Sequence, residues 1–217
     1  MAIRLYSYWR STAAYRVRIA LNLKELPHTI ETESLLPGTD EHRQPAYREK
    51  NPQMLVPYLE DGDFGIGQSQ AILEYLEETW PEKPLLPDST QRRAEVRSFC
   101  NALCCYIHPL NNLRVLLYLG EELGVSDADR DTWYAHWIRE GFRAAEQTAV
   151  ENGGPFVFGE AVTLADCCLV PQLYNAHRFG VDISDFPTLR AIETHCLTLP
   201  AFAAAVPEKQ PDAPVKS

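Results

Sequence analysis

The nine residues "PEKPLLPDS", Pro81 to Ser89, constrain the fold of this chain more than any others. Three prolines in so short a stretch fix φ and remove backbone donors, so neither a helix nor a sheet ladder runs through it. The sequence on its two sides obeys different periods. Before it, apolar residues recur by two and by three to four in alternation; after it only the helical period survives. The chain is therefore expected to form an α/β domain over residues 1–83, a linker at 84–90 and an all-helical domain over 91–217.

The first part opens with "IRLYSYW", a strand pattern, followed by a helix from Ala13 to Lys24 with Val17, Ala20 and Leu21 at helical spacing, then the alternating "HTIETES". Further on, "LVPYLEDGDFGIGQSQAILEYLEE" reads as strand, Asp-Gly turn, short strand and a helix from Ser69 to Glu78. The order is β-α-β-(α)-β-β-α. Beyond the prolines, one long helical pattern bends near Pro109, and a second runs from the N-cap Ser126 to Gly153 with Trp133 and Trp137 expected in the core. Thr163 and Asp166 have the spacing of a capping box. A last helix follows Phe186, and the Pro-rich tail from Pro207 is expected to be poorly ordered.

A net charge of -10 leaves no basic face for counterion release, which excludes a nucleic-acid binder. No segment has the apolar run of a signal peptide or of a membrane span, so the expected location is cytoplasmic, with no membrane association. The six cysteines sit mostly on helical patterns and form no paired CxxC, the placement of small core hydrophobes rather than of a disulfide frame or metal site.

Three features point to a ligand. In "YSYWRSTAAYRVRIALNLK", Ser11 or Thr12 sits where an N-cap belongs, and a helix N-terminus holds an anion such as a thiolate or carboxylate. Val56 precedes Pro57 at a strand start. A cis bond there leaves the Val56 N–H and C=O free to pair with a peptide-like ligand, whereas a trans proline merely begins an edge strand, and spacing does not choose between them. Gln68 and Ser69 open a second helix, again suited to a carboxylate. Together they describe a peptide-like anion held at two helix N-termini and along a strand edge.

The stretches "YWRSTAAYRVRIALNLK", "NPQMLVPYL", "QSQAILEYLEE", "IHPLNNLRVL", "TLADCCLVPQLYNAHRF" and "QPDAP", in that order, resemble the cytosolic glutathione S-transferases, above all the zeta class and the bacterial maleylpyruvate isomerases. The resemblance implies a thioredoxin-like N-terminal domain that binds glutathione, an all-helical C-terminal domain and a homodimer. It implies Gln68 and Ser69 for the γ-glutamyl carboxylate and Val56 for the cysteinyl backbone. His42, Gln53, His108 and Asn112 are implied for the glycine end or the rim of the site. Ser11 is implied as the donor to the cofactor's sulfur, lowering a thiol pKa whose free value is about 8.5.

The family pattern at the helix start is Ser-Ser-Cys, whereas this chain has Ser11, Thr12 and Ala13, so no protein thiol stands there. Arg10 beside the thiolate suits a carboxylate, and Arg114 and Arg178 match substrate-facing arginines of the maleylpyruvate isomerases. The implied activity is glutathione-dependent cis-trans isomerisation of maleylacetoacetate or maleylpyruvate in aromatic-compound catabolism. The alternatives are a glutathione S-transferase that conjugates or dehalogenates small α-halo acids, and a binding protein with a vestigial site.

Overall fold

The computed structural model describes residues 3–36 and 38–214. They form two compact units, one built from the chain up to Leu85 together with the residues from Thr198 onward, the other from Leu86–Leu197.

In the first unit the order is β1 (Ile3–Ser7), α1 (Thr12–Leu23), β2 (His28–Thr32), α2 (Pro45–Lys50), β3 (Tyr58–Asp61), β4 (Phe64–Gly67) and α3 (Ser69–Thr79). The sheet runs β2-β1-β3-β4. β1 pairs in parallel with β2, a pairing that needs the crossover helix α1, and antiparallel with β3, which meets β4 across the Asp-Gly turn. Leu5 and Leu59 are paired and fully buried, as are Val17 and Leu21 of α1 and Ile72, Leu73 and Leu76 of α3, so this face of the sheet is covered by both helices. The element order read from periodicity is the observed one.

The second unit contains α4 (Thr90–Asn101), a π-helical stretch Ala102–Ile107, α5 (Leu113–Glu121), α6 (Asp127–Asn152), α7 (Leu164–Arg178) and α8 (Pro187–Thr198). Two expectations are corrected here. The pattern expected to bend near Pro109 is instead two helices, because the π-helical stretch widens the turn before the proline and Asn112 caps a new start. Trp133 and Trp137 are half-buried and stack edge to face at 5.7 Å; the buried line of α6 is Tyr134, Ile138, Gly141, Phe142, Ala145 and Ala149. Gly141 is required there, since a Cβ would collide with Ile107 of the π-helical stretch.

As far as Pro214 the tail corrects a third expectation; residues 215–217, which it also covers, lie outside the described residues. After α8 the chain turns into α9 (Pro200–Ala205), which packs on α1, and then into a 3-10 turn, Pro207–Lys209. Asp212 accepts the Trp9 N–H at 2.9 Å, and Ala213 packs against the cluster of Tyr6, Tyr8, Trp9, Tyr47 and Val56. None of the six cysteines is in a disulfide, and all are buried except Cys105. Among the described residues no helix is long and apolar enough to cross a membrane, and no cluster could hold a metal ion.

Candidate active site

The N-terminus of α1 is built by Ser11. Its Oγ accepts the Ala14 N–H at 3.2 Å, which makes Ser11 the N-cap and leaves Thr12 buried in the first turn. The acceptor side of the hydroxyl is thus used from within, and among the described residues its proton has no acceptor. Arg10 lies beside it with its guanidinium over the Trp9 ring at 4.1 Å, a stacking that leaves the N–H edge available.

The second feature is the loop Asn51 to Pro57. Tyr47 Oη and Asn51 Nδ2 both donate to the Leu55 carbonyl at 2.7 Å, fixing the residue before Val56. The Val56–Pro57 bond is cis. Among the described residues neither the N–H nor the C=O of Val56 has a hydrogen-bond partner. Asn51 Oδ1 also accepts the Gln53 N–H at 3.2 Å.

The third is the start of α3. Gln68 occupies the N-cap with φ 70°, a left-handed conformation unusual for a residue with a side chain, and makes no side-chain cap. Its Nε2 instead donates to Gln53 Oε1 at 2.6 Å, which joins the loop to the helix start. Ser69 Oγ accepts from Arg16 Nη1 at 3.1 Å, so here too the acceptor side of a serine hydroxyl is filled from within the fold. His42 is buried on a 3-10 turn, Glu41–Arg43, with Nδ1 3.0 Å from the Ser34 carbonyl; a carbonyl only accepts, so Nδ1 carries the proton.

The remaining expected residues belong to the second unit. Asn112 caps α5, its Oδ1 accepting the Arg114 N–H at 3.1 Å, while its Nδ2 lies 3.4 Å from His108 Nε2, which is thereby the acceptor nitrogen. The Arg114 side chain is exposed. Arg178 ends α7, also exposed, over the Phe179 ring at 4.9 Å; that ring stacks on Tyr134 at 3.8 Å. Burial pushes the Tyr134 hydroxyl up, opposed by the Arg178 charge.

Two residues that frame the site escaped the sequence reading. Arg16 reads as an ordinary polar position of α1, and Asp212 as part of a loose tail. The signal for the first is the pair Arg16 and Arg18 set among the apolar positions of one helix. The signal for the second is the "QPDAP" stretch itself.

An anion-ready pair of helix N-termini and an unpaired stretch of loop backbone at Val56, on a sheet of order β2-β1-β3-β4 backed by helices and followed by an all-helical unit, define a thioredoxin-like first domain with a site for a peptide-like anion. The family model for the glutathione S-transferase N-terminal domain matches residues 5–84. A probable maleylacetoacetate isomerase of Vibrio cholerae serotype O1 is 45% identical over 213 residues, 98% of this chain and 99% of that protein. Among solved structures, the holo form of a maleylpyruvate isomerase, a bacterial zeta-class glutathione S-transferase, superposes with a TM-score of 0.94 at 42% identity, covering 97% of this chain and 100% of that one. The maleylacetoacetate isomerase of Anaeromyxobacter dehalogenans with bound glutathione gives 0.87 at 42%, covering 98% of each chain. This chain belongs to the zeta-class glutathione S-transferase family, the family of the maleylacetoacetate and maleylpyruvate isomerases.

Proposed function

We propose that the protein is a glutathione-dependent cis-trans isomerase acting on maleylacetoacetate or maleylpyruvate. The observation that carries this reading is the pair of serines at the starts of α1 and α3, each with its oxygen already accepting from inside the fold. Each hydroxyl then has a proton to give to an anion at a positively polarised helix end. Glutathione fits that arrangement: its γ-glutamyl carboxylate would be held by Ser69 and the Gln68 turn, its cysteinyl amide would pair with the backbone of Val56, and its thiolate would accept a hydrogen bond from the Ser11 hydroxyl. His42, Gln53, His108 and Asn112 serve the glycine end and the rim. Support also comes from the near full-length similarity to isomerases of both substrates.

When bound, glutathione would supply a thiolate nucleophile for reversible addition to the activated cis double bond, the chemistry that frees that bond to rotate. The chain's own residues do the electrostatic work. Ser11 and the end of α1 hold the sulfur ionised near neutral pH, and no protein thiol competes, since Ala13 stands where the family has cysteine. Arg10, Arg114 and Arg178 hold the substrate carboxylates and the negative charge that develops on its carbonyl oxygen. In this reading residues 1–83 form the cofactor domain and 91–217 the substrate domain, with the stretch from Thr198 onward returning to the compact unit of the cofactor domain. The reading includes a homodimer, to be checked by light scattering, and a cytoplasmic location, to be checked by cell fractionation.

The test is a spectrophotometric assay of both acids with and without glutathione, with thiol titrated before and after. Conversion should require glutathione and leave the titratable thiol unchanged. Stoichiometric loss of thiol on these acids would instead establish a conjugating transferase, and loss of thiol matched by halide release from an α-halo acid a dehalogenating one.

A further inference from the structure

The described part of the first unit buries three cations, and only one lacks adequate partners. Lys24 pairs with Glu77 at 2.7 Å and donates to the Trp80 and Lys83 carbonyls. Arg18 donates to Ser7 Oγ and to the carbonyls of Tyr8, Trp9 and Ala205. Arg16, 2% exposed, makes one hydrogen bond, from Nη1 to Ser69 Oγ; its Nε and Nη2 are buried without a partner, and among the described residues no carboxylate pairs with it. A fixed guanidinium charge buried with one neutral acceptor is unfavourable in the free protein and awaits an anion.

The anion's place follows from the one bond Arg16 makes. Ser69 is the first residue of α3, an eleven-residue helix whose N-cap, Gln68, offers no side-chain cap. The helix end, the Ser69 proton and the Arg16 charge behind it all favour negative charge at one spot. Because Arg16 occupies a lone pair of Ser69 Oγ, it polarises the hydroxyl and commits its proton to an outside acceptor.

We propose that Arg16 is a positioning residue for the cofactor: a buried, otherwise uncompensated cation that acts through Ser69 to recognise the α-carboxylate of the γ-glutamyl group. Its own N–H groups never touch the ligand. The inference rests on the glutathione reading above and assigns to that site a charge no other buried group supplies.

The test uses the full chain and two ligands, glutathione and the analogue with 4-aminobutyrate in place of the γ-glutamyl residue, which lacks only that carboxylate. Dissociation constants come from calorimetry, and melting temperatures are taken with and without ligand. In the wild type, glutathione should be strongly preferred. Arg16→Met, similar in length but neutral, should weaken glutathione about tenfold or more. It should change the analogue less than about threefold by the same reasoning, so that the preference collapses. In a Ser69→Ala background the same change should have little further effect. The free Arg16→Met protein should melt no lower than the wild type, because it has lost an unpaired buried charge rather than a support. Arg16→Lys, which keeps the charge, should retain an intermediate preference and serves the same comparison if the methionine variant does not fold. An unchanged preference in the folded variants, or equal weakening of both ligands, overturns the proposal. Failure of the wild type to bind glutathione at all would instead remove the reading on which it rests.

Discussion

Ser11 has two jobs that a single substitution confounds. As N-cap it supports α1 through the Ala14 N–H, and in the proposed function its hydroxyl donates a hydrogen bond to the cofactor's sulfur. Ser11→Ala removes both, and the unfolding free energy should drop by about 1 kcal/mol for the lost cap. Turnover should fall further, by the about 1.5 to 3 kcal/mol that a hydrogen bond to a charged group contributes. Ser11→Asn restores a cap without the hydroxyl, so urea unfolding should return toward wild type while turnover stays low; recovery of both would assign Ser11 a purely structural role. Arg10 and Arg178 are separable by substrate. Alanine at either should reduce catalytic efficiency on the acid roughly thirty- to a thousandfold, the equivalent of about 2 to 4 kcal/mol, with glutathione affinity hardly changed. Lysine should restore only part, lacking the planar fork. Equal losses on an uncharged electrophile would mean that these arginines support the fold or the cofactor site instead.

At the scale of elements, local chemistry decided most of what could be read in advance. The Thr163 and Asp166 spacing announced a capping box, and the structure contains it: Asp166 accepts the N–H of Thr163 at 2.8 Å and reaches on to the Val157 N–H at 2.9 Å. That second bond fixes the loop before α7 and was not legible, because nothing local marks Val157 as its partner. Burial pushes the Asp166 carboxyl up to about 6 against the pull of these donors. The folded protein therefore keeps this proton where the unfolded chain, with a pKa of about 3.9, has lost it. Its contribution to stability is largest below about pH 4 and diminishes as the pH rises to about 6. Asp166→Ala leaves two buried N–H groups unpaired and should lower stability by about 2 to 5 kcal/mol, read from the urea midpoint at neutral pH. It should also flatten the wild-type change between about pH 4 and 6; a pH profile identical to wild type would remove the carboxyl from that titration. The π-helical stretch Ala102–Ile107 was illegible for the opposite reason: a single widened turn leaves the apolar spacing close to helical, and only its contact with Gly141 makes it visible.

At the scale of the whole chain, the candidate site depends on residues the local pattern had assigned to a loose end. The sequence "VPEKQPDAP" has the prolines and polar residues of an unstructured tail, and periodicity has nothing to say about a contact 203 positions away. The order of that tail comes from elsewhere: Asn22 donates to the Ala201 carbonyl at 2.9 Å and Arg18 Nε to the Ala205 carbonyl at 3.1 Å, holding α9 in front of it, and Trp9 N–H donates to Asp212 within it. The same Arg18 holds the Tyr8 and Trp9 carbonyls. The turn that presents Arg10 and Ser11 is thus gripped through Trp9 by a buried arginine on one side and by the returning chain on the other. Asp212→Ala strands the N–H of Trp9, itself 7% exposed, and should lower stability by about 1 to 3 kcal/mol. Turnover should fall as well, since a misplacement of about an ångström at a reacting group can cost about a hundredfold. Asparagine at the position keeps an acceptor for Trp9 and drops the charge, so it should recover most of both. Ending the chain after Val206 removes the same bond together with the 3-10 turn and the Ala213 packing, and its loss should equal or exceed that of the alanine variant. Urea midpoints and turnover of the three proteins decide the matter. If truncation left both at wild-type values, the tail would be packing alone, and the geometry of the Arg10 and Ser11 turn would rest on Arg18.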